Sequence, residues 1–258
     1  MAALQAQRAD EAERIAAEAL TRDRHHPGAL HVLGLALLAQ GRARESATSF
    51  ETASAITSDP VIETHWAIAL RQCGEPARAL EVLQRAVLRE PPFPLAFHEL
   101  GLVLFLLRRL NEAQAVLERG LKLAPAMVEL SVLLGGILLD RGEWDSARVA
   151  FARALASAPR QPGALLGLGA ALMGAGEFAA AAERLTQALA RDPGYTQARL
   201  KLAACLLELQ LEKEAIACLR TTVQRAPDSY AEALRTLISA GRGTFCLKPS
   251  GAAAMLKA

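Results

Sequence analysis

The residues whose type and spacing could do chemistry are few: four cysteines, five histidines and one Gly-x-Gly step. Cys73, Cys205, Cys218 and Cys246 contain no Cys-x-x-Cys pair and no regular framework. They read as buried free thiols, which points to a reducing compartment. His25-His26 adjoins a turn, and neighbours on a helix do not share a face, which argues against a metal site there. Gly167-x-Gly169 could open a loop that cradles a dinucleotide, but that chemistry needs a preceding strand, and the pattern predicts none. HExxH, GxxxxGK[ST] and GxSxG are all missing. The sequence therefore predicts no catalytic residue, no metal and no cofactor.

What does stand out is a period. Pro91, Pro125, Pro159, Pro193 and Pro227 are 34 residues apart. Twelve places before each stands Ala79, Ala113, Ala147, Ala181 or Ala215, and eight places before each stands Leu83, Leu117, Phe151, Leu185 or Leu219. A fixed period of this size means one supersecondary unit copied along the chain, and its length fits two short helices and two turns. Residues 94–127 are the clearest copy. Phe97, Leu100, Gly101 and Leu104 mark one face of a first helix, Ala113, Leu117 and Gly120 the inner face of a second, and Pro125 a stop. Gly101 and Ala113 are small so that two helices can approach closely.

The same frame recurs at 27–59, 60–93, 128–161, 162–195 and 196–227. Gly169 falls where the other copies place a packing glycine or alanine, and Trp66 and Trp144 read as packing residues. Gly41 to Gly74 spans 33 residues, which predicts one missing residue in the Ser58-Asp59-Pro60 turn. Residues 1–26 match a lone second helix through Ala12, Ala16 and Ala19. Residues 228–241 match a lone first helix through Ala231, Leu234 and Ile238, and 242–258 form a tail.

Composition narrows the function classes. A formal charge of +2, from 29 basic and 27 acidic residues, is too balanced for nucleic-acid binding. The longest uncharged stretch, 161–176, falls short of the ~20 residues a membrane span needs. No apolar leader follows the first residues, and a soluble, cytoplasmic protein is expected. Abundant Ala and Arg fit a GC-rich bacterial genome.

The repeated residues resemble the tetratricopeptide repeat family, whose pattern W-x-x-L-G-x-x-Y, A-x-x-x-F, A, P is approximated six times over about residues 9–241. The resemblance implies an all-α fold, a right-handed solenoid of antiparallel helix pairs with six full repeats and a half repeat at each end. It also implies that first helices line a concave groove used to bind proteins or peptides without catalysis. The groove positions carried over are the fifth (His31, His98, Val132, Leu166, Leu200), the ninth (Leu35, Ile68, Leu102, Gly136, Ala170, Ala204) and the twelfth (Leu38, Arg71, Phe105, Leu139, Met173, Leu207). At His31 and His98 a half-exposed polar residue and a contact residue are both open readings. Thr64 is the remaining fifth-position residue, and Gly174 adds to a floor that drops toward the C-terminal half. Asp140, Glu208 and Glu232 supply acidic character there.

An exposed apolar strip of this kind normally has a partner. The expected partner is a protein or peptide with an apolar helix or extended segment and basic flanks, with no nucleic acid and no membrane insertion. The Lys/Asn/Arg clamp of chaperone-tail binders is not matched at positions such as His31 and Leu35. An asparagine ladder is excluded because Asn111 is the only asparagine. Two rivals to a scaffold or adaptor remain: the targeting arm of a glycosyltransferase- or sulfotransferase-type enzyme, and a structural protein self-assembling through groove or termini. The tail is expected to cap the last helix, using Phe245, Cys246 and Leu247 and a helix starting at Pro249-Ser250 that carries Met255 and Leu256. Docking into an acidic groove through Met255, Leu256 and Lys257, or fraying, are the alternatives.

Overall fold

The computed structural model describes residues 2–239, with side chains from Arg8 to Ile238, and also Ala253, Met255 and Leu256. These residues contain helices and no strand. They fall into two compact units, 1–125 and 126–258. The first holds α1 (Ala2–Arg22), α2 (Pro27–Ala39), α3 (Ala43–Ile56), α4 (Pro60–Gln72), α5 (Pro76–Ala86), α6 (Pro94–Leu106) and α7 (Leu110–Leu123). The second holds α8 (Val128–Asp140), α9 (Trp144–Ser157), α10 (Pro162–Gly174), α11 (Phe178–Arg191), α12 (Thr196–Glu208), α13 (Glu212–Arg225) and α14 (Tyr230–Ser239). Each first helix packs against the second helix that follows it, and first helices touch the next first helix within a unit.

Local chemistry sets the boundaries. Proline opens α2, α4, α5, α6 and α10, where its missing N–H removes no helical bond. The Asp59 carboxylate accepts the Val61 N–H at 2.8 Å, and Gln161 accepts from Ala164, as N-caps. Every first helix from α2 to α12 ends in the same left-handed stop. In α2 the N–H of Gly41 donates to the Leu38 carbonyl and that of Arg42 to the Leu37 carbonyl, and the pattern recurs after α4, α6, α8, α10 and α12. The residue at positive φ is Gly41, Gly74, Gly142 or Gly176 in four turns, but Arg108 (φ 60°) and Gln210 (φ 63°) in two. Three residues separate α3 from α4, against four between α7 and α8, α9 and α10, and α11 and α12. The Thr57–Asp59 turn therefore accounts for the missing residue.

Helix pairs close on small-against-large contacts. Phe50, Leu83, Leu117, Phe151, Leu185 and Leu219 are essentially inaccessible to solvent. A Cβ added at Gly34 would lie 2.6 Å from the Phe50 ring, at Gly101 2.6 Å from Leu117, at Gly135 2.7 Å from Phe151 and at Gly169 2.8 Å from Leu185. Gly167 also abuts Phe151. Both glycines of the Gly167-x-Gly169 step are thus packing residues.

Three expectations need correction. Pro91 does not set the end of α5, which stops at Ala86, five residues earlier, whereas the other proline-terminated second helices end two residues before theirs. In α14 the buried residues are Ala233 and Leu237, while Leu234 is half-buried and Ile238 is 38% exposed. α14 starts at Tyr230, 34 residues after Thr196 and so on the period; the expected half repeat began two residues too early, at 228, where Pro227–Ser229 forms a turn. Gly174 does not lower a floor, because the Trp144 ring lies over it, 2.5 Å from where a Cβ would stand.

Two described residues beyond α14 pack against the last helices. Leu256, 6% exposed, joins a core with Leu219, Ala233 and Leu237, Met255 packs against it, and Arg220 Nε donates to the Met255 carbonyl at 2.7 Å. Phe245, Cys246, Leu247, Pro249, Ser250 and Lys257 lie outside the described residues.

Two tests follow from the backbone. Gln210→Gly should stabilise the protein by about 1 kcal/mol, since a side chain at left-handed φ costs about 1–2 kcal/mol and glycine's extra unfolded freedom returns only part of that. An unchanged or lower Tm would contradict this. Gly135→Ala should destabilise by about 1–3 kcal/mol through overpacking against Phe151. Gly136→Ala, next to it, should stabilise by about 0.5–1 kcal/mol, because its Cβ meets nothing within 4 Å. Urea unfolding of the two variants checks the opposite signs.

Candidate functional site

In residues 1–125 the first helices α2, α4 and α6 stand side by side. Leu38, Ile68, Leu102 and Phe105 lie half-buried on them, and Leu35 is 38% exposed. His31 and His98 are half-buried, but Thr64 is fully buried and donates its hydroxyl to the Pro60 carbonyl at 2.6 Å. This apolar face is interrupted by one polar network. Arg71 Nη2 of α4 lies 3.1 Å from Glu99 Oε2 of α6, and His98 Nδ1 lies 3.2 Å from Glu99 Oε1. Burial pushes the Glu99 carboxyl upward, but the hydrogen bond to His98 and the Arg71 charge outweigh it and hold it below the usual carboxylate range. Arg71 and His98, taken separately as groove residues, are therefore brought together by a third residue.

A second network joins α2 to α4. His31 Nε2 lies 3.0 Å from His65 Nδ1, and both rings pack on Phe50, with centroids 5.7 and 5.9 Å from its ring. Behind this face Glu63, 2% exposed, accepts from Arg89 Nη2 at 3.0 Å with Arg85 at 3.8 Å, and Arg85 also lies over the Trp66 ring.

In residues 126–258 the face belongs to α8, α10 and α12. Val132, Gly136, Leu139, Leu166, Ala170, Met173, Ala204 and Leu207 are half-buried on it, and Asp140 and Glu208 are exposed at the helix ends. Leu200 departs from the expected pattern. It is 4% exposed, within the core that includes Ala203, Leu219 and Leu237. The last first helix and the tail turn close over this end, so Leu200 is not open to a ligand.

Sequence reasoning missed Glu63, Glu99 and His65. A signal existed for Glu63, which occupies the place that Leu30, Phe97 and Leu165 fill in other copies, so a charge fell on the core stripe. Two of the thiols are poor nucleophiles: burial pushes Cys205 up to about 11 and also raises Cys218. Among the described residues no three His, Cys, Asp or Glu side chains group as metal ligands. No described helix is long and apolar enough to cross a membrane.

Comparison with known proteins places this geometry. No functionally curated protein matches the chain by sequence. Solved structures match in fold. The MamA 41-end chain from Desulfovibrio magneticus RS-1 aligns with 66% of this chain and 96% of its own, at 21% identity and TM-score 0.60. YrrB, described as a TPR protein with an unusual peptide-binding site, aligns over 73% of this chain and 97% of its own, at 21% identity and TM-score 0.61. The APC/C hetero-tetramer Cut9–Hcn1 covers 91% of this chain and 46% of the matched chain, at 18% identity and TM-score 0.74. At these identities the likeness establishes the fold alone. One tetratricopeptide repeat model matches residues 104–172, 138–182 and 172–238, and a second matches 1–60 and 65–127. With the helix pairs, the left-handed stops and the small-against-large contacts all on that period, the chain belongs to the tetratricopeptide repeat family.

Proposed function

We propose that this protein is a non-enzymatic scaffold or adaptor that holds an apolar peptide or helix of another protein against its first helices. The observation that carries this reading is the row of half-buried apolar side chains, among them Ile68, Leu102 and Phe105 in the first unit and Leu139, Leu166 and Met173 in the second. Such faces, left against water, are typical of binding surfaces. Gly136 adds a dimple whose floor is open, suited to one large partner side chain. Exposed Asp140 and Glu208 favour basic flanks on the ligand. YrrB's peptide-binding site and the Cut9–Hcn1 assembly give precedents for this fold in protein recognition. The residues at the fifth, ninth and twelfth places that are half-buried or exposed are the contact set, without the buried Leu200 and Thr64.

Affinity capture with the full chain, followed by mass spectrometry, tests the reading. Phe105→Asp and Leu139→Asp should each weaken capture of the principal partner about tenfold or more, the effect of losing an interface anchor. Each should stay folded, since both residues are half-buried. Leu100→Asp, at a site 3% exposed, should cost several kcal/mol and unfold its repeat. Capture unaffected by both surface variants, or Phe105→Asp as destabilising as Leu100→Asp, would overturn the assignment.

A further inference from the structure

All five histidines lie within residues 1–125, and three of them bear on α2. His26 precedes the helix, and its Nδ1 accepts the Ala29 N–H at 3.1 Å. An imidazole can accept there only with a free lone pair on Nδ1, which the imidazolium lacks. Further along, His31 Nε2 and His65 Nδ1 share one hydrogen bond at 3.0 Å. One ring must donate and the other accept, and two imidazolium rings would set N–H against N–H.

The surroundings of the pair reinforce this. From α3 comes the uncharged ring of Phe50, which stacks on His65 at an interplanar angle of 25°. The turn before α4 contributes Asp59, α4 the Val61 carbonyl and α6 Glu99, itself held by Arg71 and His98. Burial is the largest influence on both imidazoles and lowers them below the ordinary histidine value. The pull of Asp59 on both, and of Glu99 on His65, does not offset it, and the charge of His31 lowers His65 further.

We propose that α2 is fastened to its neighbours by the neutral His31–His65 imidazole pair at its middle, so that mild acid releases it from α3 and α4. The sign follows from proton linkage. With both pair values depressed, the folded state binds fewer protons than the unfolded chain. The stabilisation is present above about 6.5 and is lost as pH falls through the lowered values. Release would loosen His31, Leu35 and Leu38 together, but the inference stands whether or not those residues bind a partner.

Residues 126–258 contain no histidine and serve as an internal control. Hydrogen exchange of the full chain at pH 7.5 and 5.0, corrected for intrinsic rates, should show α2 amides losing about tenfold or more of their protection, the equivalent of one pKa unit. Amides of α8–α11 should hold theirs. His65→Phe keeps a ring on Phe50 without a titrating group, and His31→Gln keeps a hydrogen-bonding amide; either should remove most of the loss. Equal loss in both units, no loss in α2, or an unchanged loss in both His65→Phe and His31→Gln would overturn the proposal.

Discussion

Two helix backbones can approach closely only where one of them carries a methyl group or no side chain at all, and every repeat is organised around that constraint. Gly34, Ala67, Gly101, Gly135, Gly169 and Ala203 on the first helices supply the gap, and Phe50, Leu83, Leu117, Phe151, Leu185 and Leu219 on the second helices fill it. The rest of the fold follows from this contact. Once the crossing point is fixed, the left-handed stop has one place to fall, and the ninth and twelfth side chains are turned away from the partner helix. The same small residues therefore define both the core and the face available to a ligand.

The buried contacts that join one repeat to the next differ between the two units. In the second, Phe151 is wedged between Gly135 of its own repeat and Gly167 of the following one. In the first, the ties are polar: Arg71 to Glu99 and His31 to His65. Buried pairs of this kind contribute little net stability after desolvation. Their effect is on discrimination, since a helix docked in a wrong register would strand Glu99 as a bare carboxylate, at a cost of several kcal/mol. An apolar wedge tolerates small slips, whereas a charge pair does not.

Much of the fold was legible in the sequence because close packing acts on residue size, and size is written in single letters. Proline, glycine and alanine at a fixed period located the helix pairs and the deletion before Pro60. Side-chain partnerships across repeats were harder, because they depend on which long side chain bends toward which neighbour. Glu63 and Arg89 are 26 residues apart, and nothing in their spacing announces the bond. His26 looked like half of an unlikely metal pair and is instead a helix cap, a role that its own extended backbone allows. Gly174 was read as open because the sequence cannot show that Trp144, on the next helix over, folds back across it. The α14 register failed for a simpler reason: the half repeat was started at 228, inside the Pro227–Ser229 turn, although the 34-residue period itself points to Tyr230.

The chain has two tryptophans, one in each unit: Trp66 beneath the Arg85 guanidinium and Trp144 across Gly174. A linear array whose stability is a sum of neighbour contacts can melt from one end or all at once. Here each half carries its own fluorophore in a different surrounding, one beside a cation and one partly exposed against a glycine. The emission of the unaltered protein therefore distinguishes a chain that unravels in stages from one that lets go as a whole.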